Sequence, residues 1–251
     1  MAHSNKFDSI EFYGGEPTIR DDFTRILNMT RQKGFKRIKI VTNGRVFSDI
    51  GIAIQTVESG CYLFEIKVHG SNPYVHDAIT QVEGSFWQTV QGIQNLRSID
   101  VVNGAPFDAF IGVRVPICKE NYMDIENTVI NLLQFKVDRI ILSFDGHAIA
   151  IGKTLPHIQN AINISILNRV WILTQKIPLC VMEGFEHHVS EVYAISDNGL
   201  EHHKNCAKCA YGNICPGVSV DYLKNFGFRE FQRVKESRYL EDICKLRNEE
   251  N

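Results

Sequence analysis

The chain has 251 residues, with 27 basic and 29 acidic side chains and seven cysteines. A chain of this length can bury one sizeable core, so we expect one main domain with a small C-terminal appendage. The charges nearly cancel and no long Lys or Arg block occurs, which argues against nucleic acid as a partner. No stretch has the apolar length needed to span a bilayer, and no apolar leader opens the sequence. We therefore expect neither a membrane partner nor secretion.

Strand-like and helix-like segments alternate along the first two thirds of the chain. The strand-like segments are rich in β-branched residues, and they cover residues 9–12, 37–42, 63–68, 109–117 and 139–144. The helix-like segments cover residues 21–34, a stretch running to Gly60, and residues 85–97 and 123–135. Such an alternation is typical of a parallel sheet with right-handed crossovers. It predicts five strand–helix cycles, with 139–144 as the last clear strand and a charge-rich helix closing the chain.

Residues of unusual chemistry follow the predicted strands. They occupy positions 14–17, 42–44, 69–70, 114–118 and 145–147. Ligands of α/β folds bind at the carboxyl ends of the strands. A tight turn would explain any one of these loops by itself. Five such loops on one rim fit a ligand-binding mouth better.

The string Phe-Tyr-Gly-Gly-Glu-Pro at residues 12–17 carries the strongest N-terminal signal. Two glycines after a strand let the backbone approach a ligand closely, and the proline restricts the chain direction. The string resembles the GGEP motif of radical S-adenosylmethionine (radical SAM) enzymes. Further ordered matches are Thr-Asn-Gly at 42–44, Val-His-Gly at 68–70 and Val-Arg-Val at 113–115. The resemblance covers residues 8 to 235.

The resemblance implies a fold, a cofactor and binding residues. The implied fold is α/β, a partial radical SAM (β/α)6-type barrel over residues 1–177 with a small cysteine-rich extension over 178–251. Gly14, Gly15 and Glu16 would bind the amino group of the methionyl part of S-adenosylmethionine. Candidates for contacts to its ribose or carboxylate, carried over by position, are Asn43, Lys67, His69 and Arg114.

The reaction that the resemblance implies is reductive cleavage of S-adenosylmethionine by a 4Fe–4S cluster. The resulting 5′-deoxyadenosyl radical removes a hydrogen atom from a peptide or small-molecule substrate. In this family a CxxxCxxC loop holds the cluster, and no CxxxCxxC occurs in these 251 residues. The ligands of the catalytic cluster are thus not in this chain, no catalytic residue is assigned, and we expect the isolated chain not to cleave the cofactor.

Three interpretations of the missing motif stay open. The chain is a truncated enzyme, one half of a split enzyme whose partner chain supplies the loop, or a non-catalytic scaffold that binds S-adenosylmethionine or a metal. In the family's barrel the first strand pairs with the strand that bears GGEP. Its loss would expose a sheet edge, so self-association is an expected alternative to a partner chain.

The second strong signal is Cys206-x2-Cys209-x5-Cys215. Thiolates at this spacing suit an iron–sulfur cluster or zinc. The segment resembles the auxiliary-cluster region of radical SAM proteins of the SPASM or twitch type. Cys244 is the first choice for a fourth ligand, with Cys180, His202, His203 or an external group as alternatives. The odd total of seven cysteines, three of which crowd into residues 206–215, favours a metal site in a reducing cytoplasm over a disulfide framework.

Overall fold

A computed structural model describes residues 7–102, 104–145, 148–193, 200–212, 214–237, 239–240 and 242. The chain divides into two compact units, Met1–Val115 with Ile130–Ile140 (unit 1) and Pro116–Val129 with Ile141–Asn251 (unit 2). The predicted domain boundary at residue 178 stays a prediction. Over the described ranges, no helix combines the length and the apolar character required to cross a bilayer.

The described residues form a mixed α/β fold around a six-stranded sheet. Its strands, with those of two separate two-stranded sheets, are β1 Ser9–Phe12, β2 Arg37–Thr42, β3 Leu63–Lys67, β4 Val101–Val102, β5 Ala105–Pro106, β6 Phe110–Ile117, β7 Arg139–Phe144, β8 Trp171–Gln175, β9 Leu200–Glu201 and β10 Val218–Ser219. The helices are α1 Phe23–Gln32, α2 Ile50–Glu58, α3 Pro73–Thr80, α4 Ser85–Ser98, α5 Ile125–Gln134, α6 Ile151–Leu167 and α7 Val220–Phe226.

The six-stranded sheet confirms the predicted α/β class and the partial barrel. Its order is β1-β2-β3-β6-β7-β8, while β4 pairs with β5 and β9 with β10. The pairs β1–β2, β2–β3 and β3–β6 are parallel, with Phe12 opposite Ile40, Thr42 opposite Ile66 and Lys67 opposite Arg114. The carboxyl ends of these strands therefore meet at one edge, as the sequence predicts.

The structure extends the sheet beyond the last predicted strand. It contains α6 and β8 after β7, so the interpretation of 139–144 as the last strand was wrong. Pro156 lies inside α6 and interrupts a helical pattern, since proline removes a backbone donor. The short helix α3 was also missed, although Asn72 caps it and Pro73 begins it. The predicted closing helix lies largely outside the described residues.

The loop after β2 is confined between β3 and α4. Gly44 has φ +75°, and a β-carbon on it would lie 2.8 Å from Ile66 Cγ2. A β-carbon on Gly92 of α4 would lie 2.3 Å from the Gly44 carbonyl oxygen. Such separations are too short for any side chain, so both positions require glycine for this close packing. The packing holds the end of β2 in a defined position.

In unit 2, side chains from the C-terminal segment hold the start of α6. The Ile151 amide donates to Tyr222 Oη at 2.9 Å, and the Gly152 amide donates to Glu230 Oε1 at 3.0 Å. Tyr222 is buried, and its hydroxyl also bonds to Glu230 Oε2. A carboxylate at a helix N-terminus satisfies free amides and interacts favourably with the helix dipole. These bonds anchor the segment that follows the cysteine motif.

Candidate functional site

The glycine loop after β1 presents its backbone to open space. Gly14 and Gly15 have φ values of +92° and +57°, in the left-handed region that favours glycine. A β-carbon added to either residue would meet no atom within 4 Å. The glycines are therefore required by backbone conformation, not by crowding, and the loop leaves room for a ligand to approach its amides and carbonyls.

Glu16 joins the glycine loop to the end of β2. Its Oε1 accepts from the Thr18 amide at 3.2 Å, Thr18 Oγ1 at 2.6 Å and Thr42 Oγ1 at 2.7 Å. Its Oε2 accepts from the Asn43 amide at 2.7 Å. Both carboxylate oxygens are thus engaged inside the protein. This geometry favours a positioning role for Glu16, while its predicted contact with a ligand stays a prediction.

Asn43 follows β2 and is half-buried. Its Oδ1 accepts from the Arg45 amide at 3.0 Å, and its backbone carbonyl accepts from Thr89 Oγ1 at 3.0 Å. The Gly44 amide donates to Thr42 Oγ1 at 3.0 Å. The loop thus has its own turn bonds besides the link to Glu16, so its shape is set before any ligand binds.

His69 lies two residues after β3 and pairs with His76 of α3. The His69 amide donates to His76 Nδ1 at 3.2 Å, and the two rings pack edge to face with centroids 5.4 Å apart. Because Nδ1 accepts, the proton of neutral His76 is assigned to Nε2. Burial, reinforced by the charge of His69, lowers the pKa of His76 to about 4. Burial, with the charge of Lys67, also lowers the pKa of His69.

Arg114 belongs to a charged cluster centred on Glu65, whose side chain is only 2 % exposed. Glu65 carboxylate oxygens lie 2.6 Å from Arg114 Nε, 2.8 Å from Lys39 Nζ and 3.5 Å from Arg139 Nη2. Burial opposes ionisation of Glu65, but the attraction of Arg114 and Lys39 outweighs it and lowers the pKa of Glu65. Lys67 faces Arg114 in the strand register. Arg114 is therefore held by a neighbouring carboxylate.

Sequence reasoning missed Glu65 and Lys39. The signal was present, since both alternate with apolar residues along their strands, in Arg-Ile-Lys-Ile and Phe-Glu-Ile-Lys. Strict alternation indicates a strand with one polar face. In a sheet that is covered on both faces, charged residues that alternate along a strand indicate a polar inner face. They are therefore as informative about a binding site as the glycine motifs.

The cysteine motif of unit 2 lines a cavity of about 130 Å³. The cysteine, histidine and glutamate residues that line it are Cys180, Glu201, His202, His203, Cys206, Cys209 and Cys215. The predicted ligand Cys244 lies outside the described residues. Within the part of the chain that the structure describes, no three His, Cys, Asp or Glu side chains are grouped so that they could hold a metal ion. The cavity thus gathers the predicted thiols around a space, and no metal position follows from the side chains themselves.

Tight backbone turns shape the wall of the cysteine cavity. The Cys209 amide donates to the Cys206 carbonyl at 2.9 Å, and the Cys215 amide donates to the Tyr211 carbonyl at 2.8 Å. A β-carbon on Gly212 would lie 3.0 Å from the Cys206 carbonyl oxygen. Burial raises the pKa of Cys215, whereas backbone hydrogen bonds from Gly217 and Leu179 oppose this rise. Amide donors of this kind favour a thiolate over a thiol.

Comparison with known proteins gives one family match. The family model described as the radical SAM superfamily matches residues 1–130. A probable GTP 3′,8-cyclase of Saccharolobus islandicus is 24% identical over 102 residues, which cover 41% of this chain and 32% of that protein. The probable GTP 3′,8-cyclase of Saccharolobus solfataricus is 26% identical over the same shares. The matched segment thus spans about a third of these relatives.

Solved structures of Streptococcus suis SuiB share the fold. SuiB bound to S-adenosylmethionine gives a TM-score of 0.51 at 16% identity, covering 69% of this chain and 40% of SuiB. SuiB bound to the precursor peptide SuiA gives 0.51 at 15% identity, covering 96% of this chain and 55% of SuiB. At this identity the likeness concerns the fold alone, and the chain spans about half of SuiB.

Proposed function

Because the chain belongs to the radical SAM superfamily, we propose that the strand-end loops of unit 1 bind S-adenosylmethionine for an enzyme of radical chemistry. The observation that carries the proposal is the glycine loop, whose left-handed backbone meets open space. Glu16 fastens this loop to the end of β2 through Thr42 and Asn43. The two loops are preorganised, so binding would cost little ordering of the chain.

Each rim residue has a separate role in this proposal. The Gly14 and Gly15 backbone receives the methionyl amino group, since carbonyl oxygens accept hydrogen bonds from an ammonium. Asn43, Lys67 and His69 line the ends of neighbouring strands, where the ribose and carboxylate are proposed to bind. Arg114 supplies positive charge for the carboxylate while Glu65 holds its side chain in place. When bound with a reduced 4Fe–4S cluster, the cofactor supplies the 5′-deoxyadenosyl radical.

A pair of glycine variants tests cofactor binding. Gly14→Ala and Gly104→Ala should strain the backbone to a similar extent, since the parent residues have φ +92° and +77° and open space around them. Gly104 lies in the β4–β5 hairpin, away from the predicted rim. We expect Gly14→Ala to weaken binding of S-adenosylmethionine about tenfold in calorimetry, and Gly104→Ala to leave it unchanged. Equal affinity of both variants, or no binding by the unaltered chain, would overturn the proposal.

Unit 2 is proposed to hold an auxiliary iron–sulfur cluster, with zinc as the alternative. Cys206, Cys209 and Cys215 supply the thiolates around the cavity. In a cluster each thiolate binds a different iron, so the ligands line a space and need not converge on one point. A single zinc would instead require sulfurs about 2.3 Å from one ion. Iron, sulfide and zinc analysis of anaerobically purified protein separates the two.

A peptide is the proposed substrate class. The SuiB structure with its precursor peptide aligns with 96% of this chain, whereas the GTP 3′,8-cyclases align with 41%. The second likeness makes GTP the appropriate competing ligand. We expect no saturable binding of GTP by calorimetry in the presence of S-adenosylmethionine. Saturable binding of GTP would overturn the peptide proposal and make a nucleotide the proposed substrate class. The cytoplasmic location and the partner chain or self-association stay predictions.

A further inference from the structure

We propose that Cys180 completes a four-thiolate centre with Cys206, Cys209 and Cys215, which leaves the auxiliary cluster no open coordination position for a substrate. The inference rests on the proposed metal centre and names both its fourth ligand and its chemical class. It assigns this position to Cys180, five residues after the end of β8, and not to Cys244.

The backbone delivers Cys180 to the cavity. Pro178 is extended, with φ −63° and ψ 140°, and the short 3-10 turn Leu179–Val181 follows it. Cys180 is half-buried and lines the same cavity as the three motif cysteines. Electrostatic interaction reaches Cys180 from Cys215, Cys209 and Cys206, so the four sulfurs form one neighbourhood. Four neighbouring thiolates repel one another, and a cation bound between them offsets this electrostatic repulsion.

The sulfurs of Cys180 and Cys215 both receive backbone hydrogen bonds. A backbone hydrogen bond from Gln232 reaches Cys180, and backbone hydrogen bonds from Gly217 and Leu179 reach Cys215. Hydrogen bonds to sulfur stabilise thiolates and tune the reduction potential of iron–sulfur clusters. Leu179, the neighbour of Cys180, thus supports the sulfur of Cys215, so the turn and the motif are built around one another.

Other side chains on the cavity wall are engaged elsewhere. His202 Nε2 donates a hydrogen bond to the Cys215 carbonyl oxygen at 3.0 Å. His203 packs on the Phe228 ring, with the ring centroids 4.6 Å apart. The Tyr211 hydroxyl lies 2.7 Å from Glu186 Oε1 and 2.6 Å from Ser237 Oγ. Both histidines are thus engaged in other contacts, whereas Cys180 lines the cavity beside the three motif cysteines and would keep its backbone hydrogen bond from Gln232 as a thiolate ligand.

Four protein thiolates determine what the cluster can do. A 4Fe–4S cluster with three protein ligands has one iron open to a substrate or cofactor, whereas four thiolates occupy every iron. The proposed centre therefore stores or passes an electron, or stabilises the fold, and does not bind substrate through iron. Its reduction potential depends on the backbone donors to Cys180 and Cys215.

Three serine variants of the whole chain test the ligand assignment. Cys180→Ser, Cys244→Ser and Cys118→Ser are purified anaerobically with iron and sulfide, and iron content and EPR spectra are measured. We expect about four irons per chain in the unaltered protein and in the Cys244 and Cys118 variants. Cys180→Ser should lose at least one iron and show the EPR spectrum of a three-iron cluster, or lose the cluster. Full iron with an unchanged spectrum in Cys180→Ser would overturn the inference.

Alkylation of the unaltered chain gives a readout that does not depend on the folding of a variant. With the cluster bound, Cys180 should resist iodoacetamide and become reactive after chelation, while Cys244 should react in both states. Protection of Cys244 in place of Cys180 would overturn the assignment. Added imidazole should leave the EPR spectrum unchanged, because thiolates occupy all four irons. A changed spectrum would reveal an iron open to an external ligand. An unaltered chain that binds no iron or zinc would instead refute the proposed metal centre itself.

Discussion

The glycine loop of unit 1 and the cysteine cavity of unit 2 are organised in different ways. The loop is held by the Glu16 carboxylate, which accepts four hydrogen bonds from Thr18, Thr42 and Asn43. In the cavity, the sulfurs of Cys180 and Cys215 receive hydrogen bonds from backbone donors. A ligand site whose polar groups are already satisfied is stable when empty. A site of clustered thiolates needs its metal for stability.

The largest expected effect is the loss of metal from the cysteine cavity of unit 2. Cys209→Ser should abolish metal binding, because a hydroxyl is a poor ligand for iron or zinc beside soft thiolates. Cys118→Ser is the matched control, since Cys118 is also half-buried and lies outside the cavity lining. Elemental analysis measures the metal, and chelation should lower the melting temperature of the unaltered chain. Retention of full metal by Cys209→Ser would remove the site.

Glu65→Gln should be the most destabilising change in unit 1. The substitution removes the carboxylate shared by Lys39, Arg114 and Arg139, and leaves these cations without their buried partner. Breaking a buried ion pair costs about 3–5 kcal/mol, which urea unfolding would detect. Asp8→Asn is the exposed control, because its pair with Arg37 lies at the surface. Similar unfolding free energies for both variants would show that the cluster contributes no stability.

Stability should depend on pH through His76. Its pKa falls from 6.5 to about 4 on folding, so between these values the unfolded chain binds more protons than the native one. The contribution is fully present above about pH 6.5 and is lost as the pH falls towards 4, by about 3 kcal/mol in total. His76→Gln should flatten this part of the profile. An unchanged slope of unfolding free energy between pH 4 and 6.5 would refute the assignment.

Glu16→Gln should have the smallest effect on stability and a specific effect on binding. The amide keeps one acceptor oxygen but turns an NH2 group towards donors from Thr42 or Asn43. We expect a loss of about 2 kcal/mol in unfolding free energy and weaker binding of S-adenosylmethionine, with metal content unchanged. Weakened metal binding would contradict the separation between the loop and the cavity.

Sequence patterns predicted those strands of the sheet whose apolar residues form a clear local run or alternation. The strands β1, β2, β3, β6 and β7 lie within the predicted segments, because alternating or continuous apolar runs bounded by Gly and Asn are local signals. The pattern failed at α6, where Pro156 interrupts the helix, and at β8, whose five residues follow a turn without Gly or Pro. Burial of its own apolar side chains, such as Ile158 and Ile162, stabilises α6 despite its proline.

The motifs at residues 14–17, 42–44 and 206–215 were visible in the sequence alone, because turns and metal ligands at short spacing require particular residue types close together in the chain. Only the tertiary structure showed that Glu16 bonds to Asn43, that Glu65 gathers Lys39 and Arg114, and that Cys180 lines the cysteine cavity. These partners lie 26 or more residues apart in the sequence. Contacts over such separations leave no local period, and strand register and chain reversal alone bring them together.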